Sequence, residues 1–181
     1  MYRAHAVTRS AWWFDSGPHG RFNLQPPRGT CYVATRIETA VRERVRGEIH
    51  RSGFVSSEFA RSFRISALTA PTRYSCASVS SSRAARYRLV RELVTLANYD
   101  LPREWARSFA DAGFTGVFYG SAFTTGSPTA LGLFGSAGGR ASEEFTEQHC
   151  LSGTQAGALS GLSVAPVPAS ARLKLIEEPR P

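Results

Sequence analysis

Three side chains of complementary chemistry recur at an even interval near the start of the chain. Arg21, Tyr32 and Glu43 follow one another in steps of eleven residues. A guanidinium grips phosphate through two parallel hydrogen bonds. A tyrosine ring stacks on a flat ligand while its hydroxyl stays available. A carboxylate supports a developing positive charge. Such residues are ordinary in isolation, because arginine and glutamate are mostly solvated surface. The sequence around them is what singles them out.

All three lie in the stretch HGRFNLQPPRGTCYVATRIETAVRERV, from His19 to Val45. Gly20 frees the backbone ahead of Arg21, and Pro26 and Pro27 stiffen the loop beyond it. CYVA, Cys31 to Ala34, reads as a buried strand. From Ile37 the period changes: Ile37, Ala40, Val41 and Val45 share one face of a helix. Gly47 is expected to end or weaken that helix. The loop would therefore deliver Arg21, the strand Tyr32 and the helix Glu43.

Five short blocks stand in order along the chain: YRAH (Tyr2–His5), GRFN (Gly20–Asn23), GTCYVA (Gly29–Ala34), AVRE (Ala40–Glu43) and AGFTGVFYGSA (Ala112–Ala122). With their gaps, these blocks resemble the RES-domain family from Tyr2 to about Phe134. The family is named for an Arg, a Glu and a Ser. Its characterised members are toxins of bacterial toxin–antitoxin pairs that destroy NAD, on a fold related to ADP-ribosyltransferases. The resemblance implies that Arg3 and Arg21 match the family's arginines, Tyr32 its tyrosine, Glu43 its acid and Ser121 its serine. It further implies that Glu43 stabilises an oxocarbenium-like ribose and that Arg3 and Arg21 clamp phosphate or ribose. Tyr32 would pack near the nicotinamide, and Ser121 would hydrogen-bond the substrate. Tyr2, His5 and Asn23 are secondary candidates in the same blocks. Two departures stand out: Gly120 precedes the serine where proline is usual, and Phe22 replaces a frequent tryptophan. Neither removes a functional group.

Composition is compatible with this. The chain has 181 residues, 42% hydrophobic and 20% charged, which suits one globular domain with a sizeable core. Cys31, Cys76 and Cys150 are too scattered for a disulfide framework or a zinc site. With neither a signal sequence nor a long apolar run, a cytoplasmic protein is expected. The net charge is +8, nearly all of it arginine. Residues 1–107 carry 18 of the 22 basic residues and 8 of the 14 acidic ones. That basic half suits an anionic small molecule, an acidic protein partner or nucleic acid, and composition does not choose among them.

The remaining elements are read from periodicity and punctuation. Tyr2–Ala6, Phe54–Val55, Arg61–Leu68, Tyr74–Val79, Gly116–Tyr119 and Ala130–Phe134 read as strands, and Trp12–Phe14 as an apolar cluster. Arg83–Leu96 reads as a helix whose charged face carries Arg83, Arg86, Arg88 and Arg91. Another helix begins at Pro102 and stops at Gly113. Gly135–Arg140 reads as an exposed turn, and Gly153, Gly157 and Gly161 as a flexible or tightly turned loop. Arg172–Ile176 reads as a late strand. Strands and helices without a regular βαβ rhythm favour an α+β fold. The expected architecture is one domain over 1–181, with mixed central sheets, flanking helices, a core in about 2–134 and C-terminal strands and loops in 135–181.

Other chemistries lack their residues. Ser121 has no G-x-S-x-G flanks, and the four histidines have no metal-ligand spacing. No G-x-G-x-x-G follows a strand, so NAD would be a substrate in a cleft and not a resident cofactor. Water, phosphate or a macromolecule remains open as the acceptor of the ADP-ribosyl group. A non-catalytic basic module that binds an antitoxin partner or nucleic acid is the rival reading.

Overall fold

The computed structural model describes residues 1–87, 92–127, 129–140 and 145–167. In chain order the strands are β1 (Tyr2–Ala6), β2 (Trp13–Phe14), β3 (Arg28–Ala34), β4 (Val55–Ser56), β5 (Phe63–Thr69), β6 (Cys76–Ser78), β7 (Gly116–Tyr119), β8 (Ala130–Ser136), β9 (Gly138–Gly139), β10 (Thr146–Ser152) and β11 (Val164–Ala165). The helices are α1 (Ile37–Ser52), α2 (Ser57–Arg61), α3 (Glu92–Thr95), α4 (Asp100–Asp111) and α5 (Gly153–Leu159). A mixed seven-stranded sheet runs in the order β10-β5-β1-β3-β8-β7-β6, with only β6 and β7 parallel. The fold is α+β, with helices packed on a central sheet.

β3 is buried along almost its whole length. Its run RGTCYVA lacks a solvated polar face, because both faces are covered. Cys31 and Val33 pack with Trp12, Phe14, Leu68 and Leu133 on one side. Tyr32 packs on the other, against Phe22, Phe109, Val117 and Tyr119. A third cluster joins α1, α2 and α5 to β5 through Val41, Val45, Ala60, Phe63, Ile65 and Ala156. Alternation along paired strands puts the Tyr32 cluster and this third cluster on the same face of the sheet. Tyr2 on β1 stands opposite Ala34 on β3, and Ala4 opposite Ile65 on β5. Arg3 and His5 therefore point to the face that carries Cys31.

Pairing is uneven across the sheet. β3 and β8 are in register over seven residue pairs, from Arg28↔Ser136 to Ala34↔Ala130. β1 and β5 are in register over five. Between β1 and β3 the pairing consists of Tyr2↔Ala34 alone. From that point the two strands part, and the sheet opens into a split.

The structure departs from several expectations. α1 runs through Gly47 to Ser52 and ends at Gly53, whose φ of 72° is left-handed and whose N–H reaches the Ile49 carbonyl. A glycine costs a helix only about 1 kcal/mol, and burial of Val41 and Val45 outweighs that. Gly153–Leu159 is a helix and not a loop, started by a capping box in which Ser152 and Gln155 satisfy each other's backbone N–H. Its small residues serve close packing: a Cβ on Gly153 would lie 2.2 Å from the Ala60 carbonyl oxygen. Gly135–Arg140 is not an exposed turn but supplies the end of β8 and all of β9, which pairs with Trp13–Phe14. β10 is an exposed edge strand without apolar alternation, so periodicity does not reveal it. Pro102 sits in the first turn of α4, which starts at Asp100. Of the expected Arg83–Leu96 helix, the structure has a 3-10 turn at Ala84–Tyr87 and α3, and residues 88–91 lie outside the described residues, as does the expected strand at Arg172–Ile176.

Candidate active site

The split between β1 and β3 holds a cleft of about 280 Å³. β1 supplies one wall with Arg3 and His5, and β3 another with Tyr32 and Ala34. α1 contributes Ala40, Glu43, Arg44 and Arg46, and the loop before β3 contributes Asp15, Gly20 and Arg21. Arg3, Arg21, Tyr32 and Glu43 therefore come to one cleft although they sit on four different segments. Three of them are close in sequence for a simple reason. β3 passes through the short turn at Thr35–Arg36 into α1, so strand and helix present their residues to the same opening.

Glu43 is 25% exposed and faces its helical neighbour Arg46, with 3.5 Å between Oε2 and Nη1. The Arg46 guanidinium also lies 5.6 Å from the centre of the Phe123 ring, another cleft residue. Glu43 is thus oriented without being buried. The Tyr32 hydroxyl accepts the Phe22 N–H at 2.8 Å. Burial is the main force that raises the Tyr32 phenol far above its usual pKa, with Asp15 and Glu43 adding to it. Tyr119 behind it is raised as well, first by burial. Both rings are neutral phenols across the physiological range. Gly132 stands directly opposite Tyr32 on β8, and its missing side chain leaves the room that Tyr32 and Thr30 occupy.

The arginines are already engaged in part. Arg3 donates from Nη1 toward the carbonyls of Ala11 and Trp13 at 2.6 and 2.7 Å and toward Cys31 Sγ. These partners lie on the face of the sheet to which Arg3 points. Arg21 donates to the Leu96 carbonyl at 2.6 Å and lies 4.6 Å from the Tyr99 ring centre. It thereby ties the loop before β3 to the end of α3. Arg103 of α4 completes that tie by donating to the carbonyls of Gly20 and Pro18. Asn23 holds the loop from inside, donating to Asp15 at 2.6 Å and to the Gly17 carbonyl at 2.8 Å. A Cβ on Gly20 would collide with Asn23, at 2.0 Å from its Oδ1, so that close approach requires glycine.

Ser121 does not line the cleft. It is 5% exposed, and its Oγ accepts the Phe123 N–H at 3.0 Å. It opens instead on an adjoining cavity with Ser80, Ser81 and Thr124, while its neighbours Ala122 and Phe123 reach the cleft. Its contact with the cleft runs through the turn it holds. Of the secondary candidates, His5 and Asn23 are buried supports. His5 is only 4% exposed, with Nδ1 2.9 Å from the Arg9 carbonyl and Nε2 3.0 Å from Ser66 Oγ. Burial above all lowers its pKa, so the neutral ring fits both bonds. Tyr2 packs with the third core cluster.

Arg9, Trp13, Arg44, Arg46 and Phe123 also line the cleft, beyond the residues that the sequence singles out. The pattern RERVR around Glu43 is the available signal, since the helical positions flanking a site-facing residue share its surroundings. Among the described residues no group of three or more His, Cys, Asp or Glu is placed to hold a metal ion. No helix among them is long and apolar enough to cross a membrane.

Comparison with known proteins bears on the fold and the family. The structure is similar to a chain of the crystal structure of the M. tuberculosis MbcT-MbcA toxin-antitoxin complex. The TM-score is 0.67 at 13% sequence identity, over 88% of this chain and 87% of that one. At that identity the likeness establishes the fold. No curated protein sequence matches. The RES domain matches residues 1–152, which include all of β1, β3, α1 and the cleft they form. The chain belongs to the RES-domain family.

Proposed function

We propose that this protein degrades NAD by cleaving the bond between nicotinamide and ribose, with water or phosphate as acceptor. The observation that carries the reading is the convergence of Glu43, Tyr32, Arg21 and Arg3 on the split of the sheet in a RES-domain chain. Nicotinamide leaves as a neutral molecule from a cationic pyridinium, so its departure needs little acid help. The ribose carbon acquires oxocarbenium character, as in glycoside hydrolysis. Glu43 is an oriented, partly exposed carboxylate suited to face that charge. Tyr32 offers a neutral ring beside it for the nicotinamide. Arg21 and the unspent edge of Arg3 place positive charge for the diphosphate. Ser121 acts through Phe123, and not by touching the substrate. NAD is consumed as a substrate, and no resident cofactor enters the scheme.

In the same reading the protein is a cytoplasmic toxin restrained by a cognate antitoxin protein. The support is its family and its likeness to a chain from a toxin-antitoxin complex. Its excess of arginine suits an acidic partner segment. Purified protein mixed with NAD is expected to release free nicotinamide, measured by chromatography with and without phosphate. Absence of release under both conditions refutes cleavage with water or phosphate as acceptor. Induced expression without a partner is expected to arrest growth as cellular NAD falls. Normal growth with intact NAD refutes the toxin reading.

A further inference from the structure

Arg21 is held at both of its peptide bonds. The Gly20 carbonyl, which shares a rigid plane with the Arg21 N–H, accepts from Arg103 Nε at 3.2 Å. The Phe22 N–H, which shares the next plane with the Arg21 carbonyl, donates to the Tyr32 hydroxyl at 2.8 Å. Arg103 Nη2 also donates to the Pro18 carbonyl, further back in the same loop. The two guanidiniums share one ring: the Tyr99 centre is 4.6 Å from Cζ of Arg21 and 5.8 Å from Cζ of Arg103. Arg103 thus meets Arg21 twice, through the backbone that carries it and through the ring its side chain lies on. Yet Arg103 does not line the cleft and falls in none of the five sequence blocks.

Arg103 is not placed as a solvated surface charge. Its side chain is 23% exposed, and its ion pair with Asp100 is long, at 3.7 Å, to a carboxylate that is 76% exposed. Such a pair contributes little, so the two loop carbonyls are the main partners of the guanidinium. Helix α4 is anchored without it, through the buried Pro102, Ala106 and Phe109. The loop it grips contains Gly17 and Gly20, and glycine leaves a backbone freer than any other residue does. We propose that Arg103 is a positioning residue: from outside the cleft it fixes the Gly20–Arg21 peptide and the Tyr99 ring, and so aims the Arg21 guanidinium. The inference rests on the NAD reading for what Arg21 binds, and on geometry alone for the tie.

The test is steady-state nicotinamide release by the full chain, with backbone amide exchange measured alongside. The chains compared are the parent, Arg103→Gln, Arg103→Lys, Arg21→Lys and the double variant of Arg21→Lys with Arg103→Gln. Arg103→Gln is expected to raise KM for NAD by about tenfold, from the loss of its hydrogen bonds to the loop, with kcat changed less. Arg103→Lys keeps the charge and holds one carbonyl at a time, so it should be intermediate, and it stays informative if Arg103→Gln folds poorly. In the Arg21→Lys background the Gln substitution should add little, because residues that share a network are not additive. The Phe22 and Asn23 amides, bonded to Tyr32 and to the Gly20 carbonyl, should exchange faster in Arg103→Gln while those of β3 and α1 keep the parent rates. An equal rise in KM in both backgrounds assigns Arg103 a general structural role and overturns the proposal, as does parent-like exchange at Phe22 and Asn23. Exchange is read without turnover. A parent that releases no nicotinamide, with faster exchange in Arg103→Gln, refutes the NAD reading alone. A parent that cleaves NAD, with KM and exchange unchanged in Arg103→Gln, refutes the positioning role alone.

Discussion

Replacing Glu43 by Gln separates a role in chemistry from a role in folding, because the structure assigns them very different magnitudes. The side chain is 25% exposed and its ion pair with Arg46 is a helical i,i+3 pair at 3.5 Å. Pairs of this kind contribute about 0.2–0.5 kcal/mol. For a chain of this size that corresponds to a fall in Tm of at most about 2 °C. The amide keeps the size and hydrogen-bonding shape of the carboxylate, so Arg46 and Phe123 stay in place. Loss of the negative charge opposite an oxocarbenium-like carbon is a different matter. Removing one preorganised electrostatic partner costs about 10²–10³ in kcat, or about 3–4 kcal/mol. KM should change little, because contacts to the phosphates are made in ground and transition states alike. The assay is steady-state nicotinamide release, with folding followed by circular dichroism and thermal unfolding. A variant with parent-like Tm that turns over NAD at the parent rate removes Glu43 from the mechanism. A variant that loses activity only because its Tm collapses would refute the packing argument.

Arg21→Lys keeps the charge but loses the bond to the Leu96 carbonyl and the planar contact with Tyr99; KM for NAD is expected to rise about tenfold while kcat changes less, and an unchanged KM counts against a substrate role. Gly132→Ala places a Cβ 3.1 Å from Thr30 and 3.7 Å from the Tyr32 ring; chemical denaturation should show a loss of about 1–3 kcal/mol, with activity reduced in the fraction that folds, and parent-like stability refutes the assigned spacing. His5 makes stability fall on acidification: its folded pKa is below the unfolded value near 6.5, so the unfolded chain takes up the proton first. The contribution is whole above about pH 6.5 and declines below it by at most about 1.4 kcal/mol per pH unit. Unfolding titrations at pH 7.5 and 5.5, compared with those of His5→Gln, should show a shallower decline in the variant.

Much of the site could be read from residues that are neighbours in sequence. The apolar run of β3, the change of period into α1 and the eleven-residue step from Tyr32 to Glu43 together describe a strand turning directly into a helix. Alternation and helical period act over a few residues, so they are written locally. Gly53, the residue that actually ends α1, is less evident in the sequence than Gly47, because the choice depends on which turn of the helix is buried against the sheet. The capping box of α5 is present in the sequence as Ser152 and Gln155, but the glycines around it read as a loop until Ala60 and Phe63 supply the surface they pack against. β9 and β10 have no periodicity of their own and exist because β2 and β5 offer edges to pair with.

The cleft itself was decided only by the tertiary structure. β1 and β3 meet at one residue pair and then diverge, and that divergence brings Arg3 from one face of the sheet to the same opening as Glu43 on the other. The same packing turns Ser121 away, so that Phe123 reaches the cleft in its place, and leaves the buried Arg44 Nε without a hydrogen-bond partner among the described residues. Residue types and their order along the chain determined which chemistry was available. Pairing between segments far apart in sequence determined which groups share a space, because strand divergence and burial depend on contacts that no local pattern encodes.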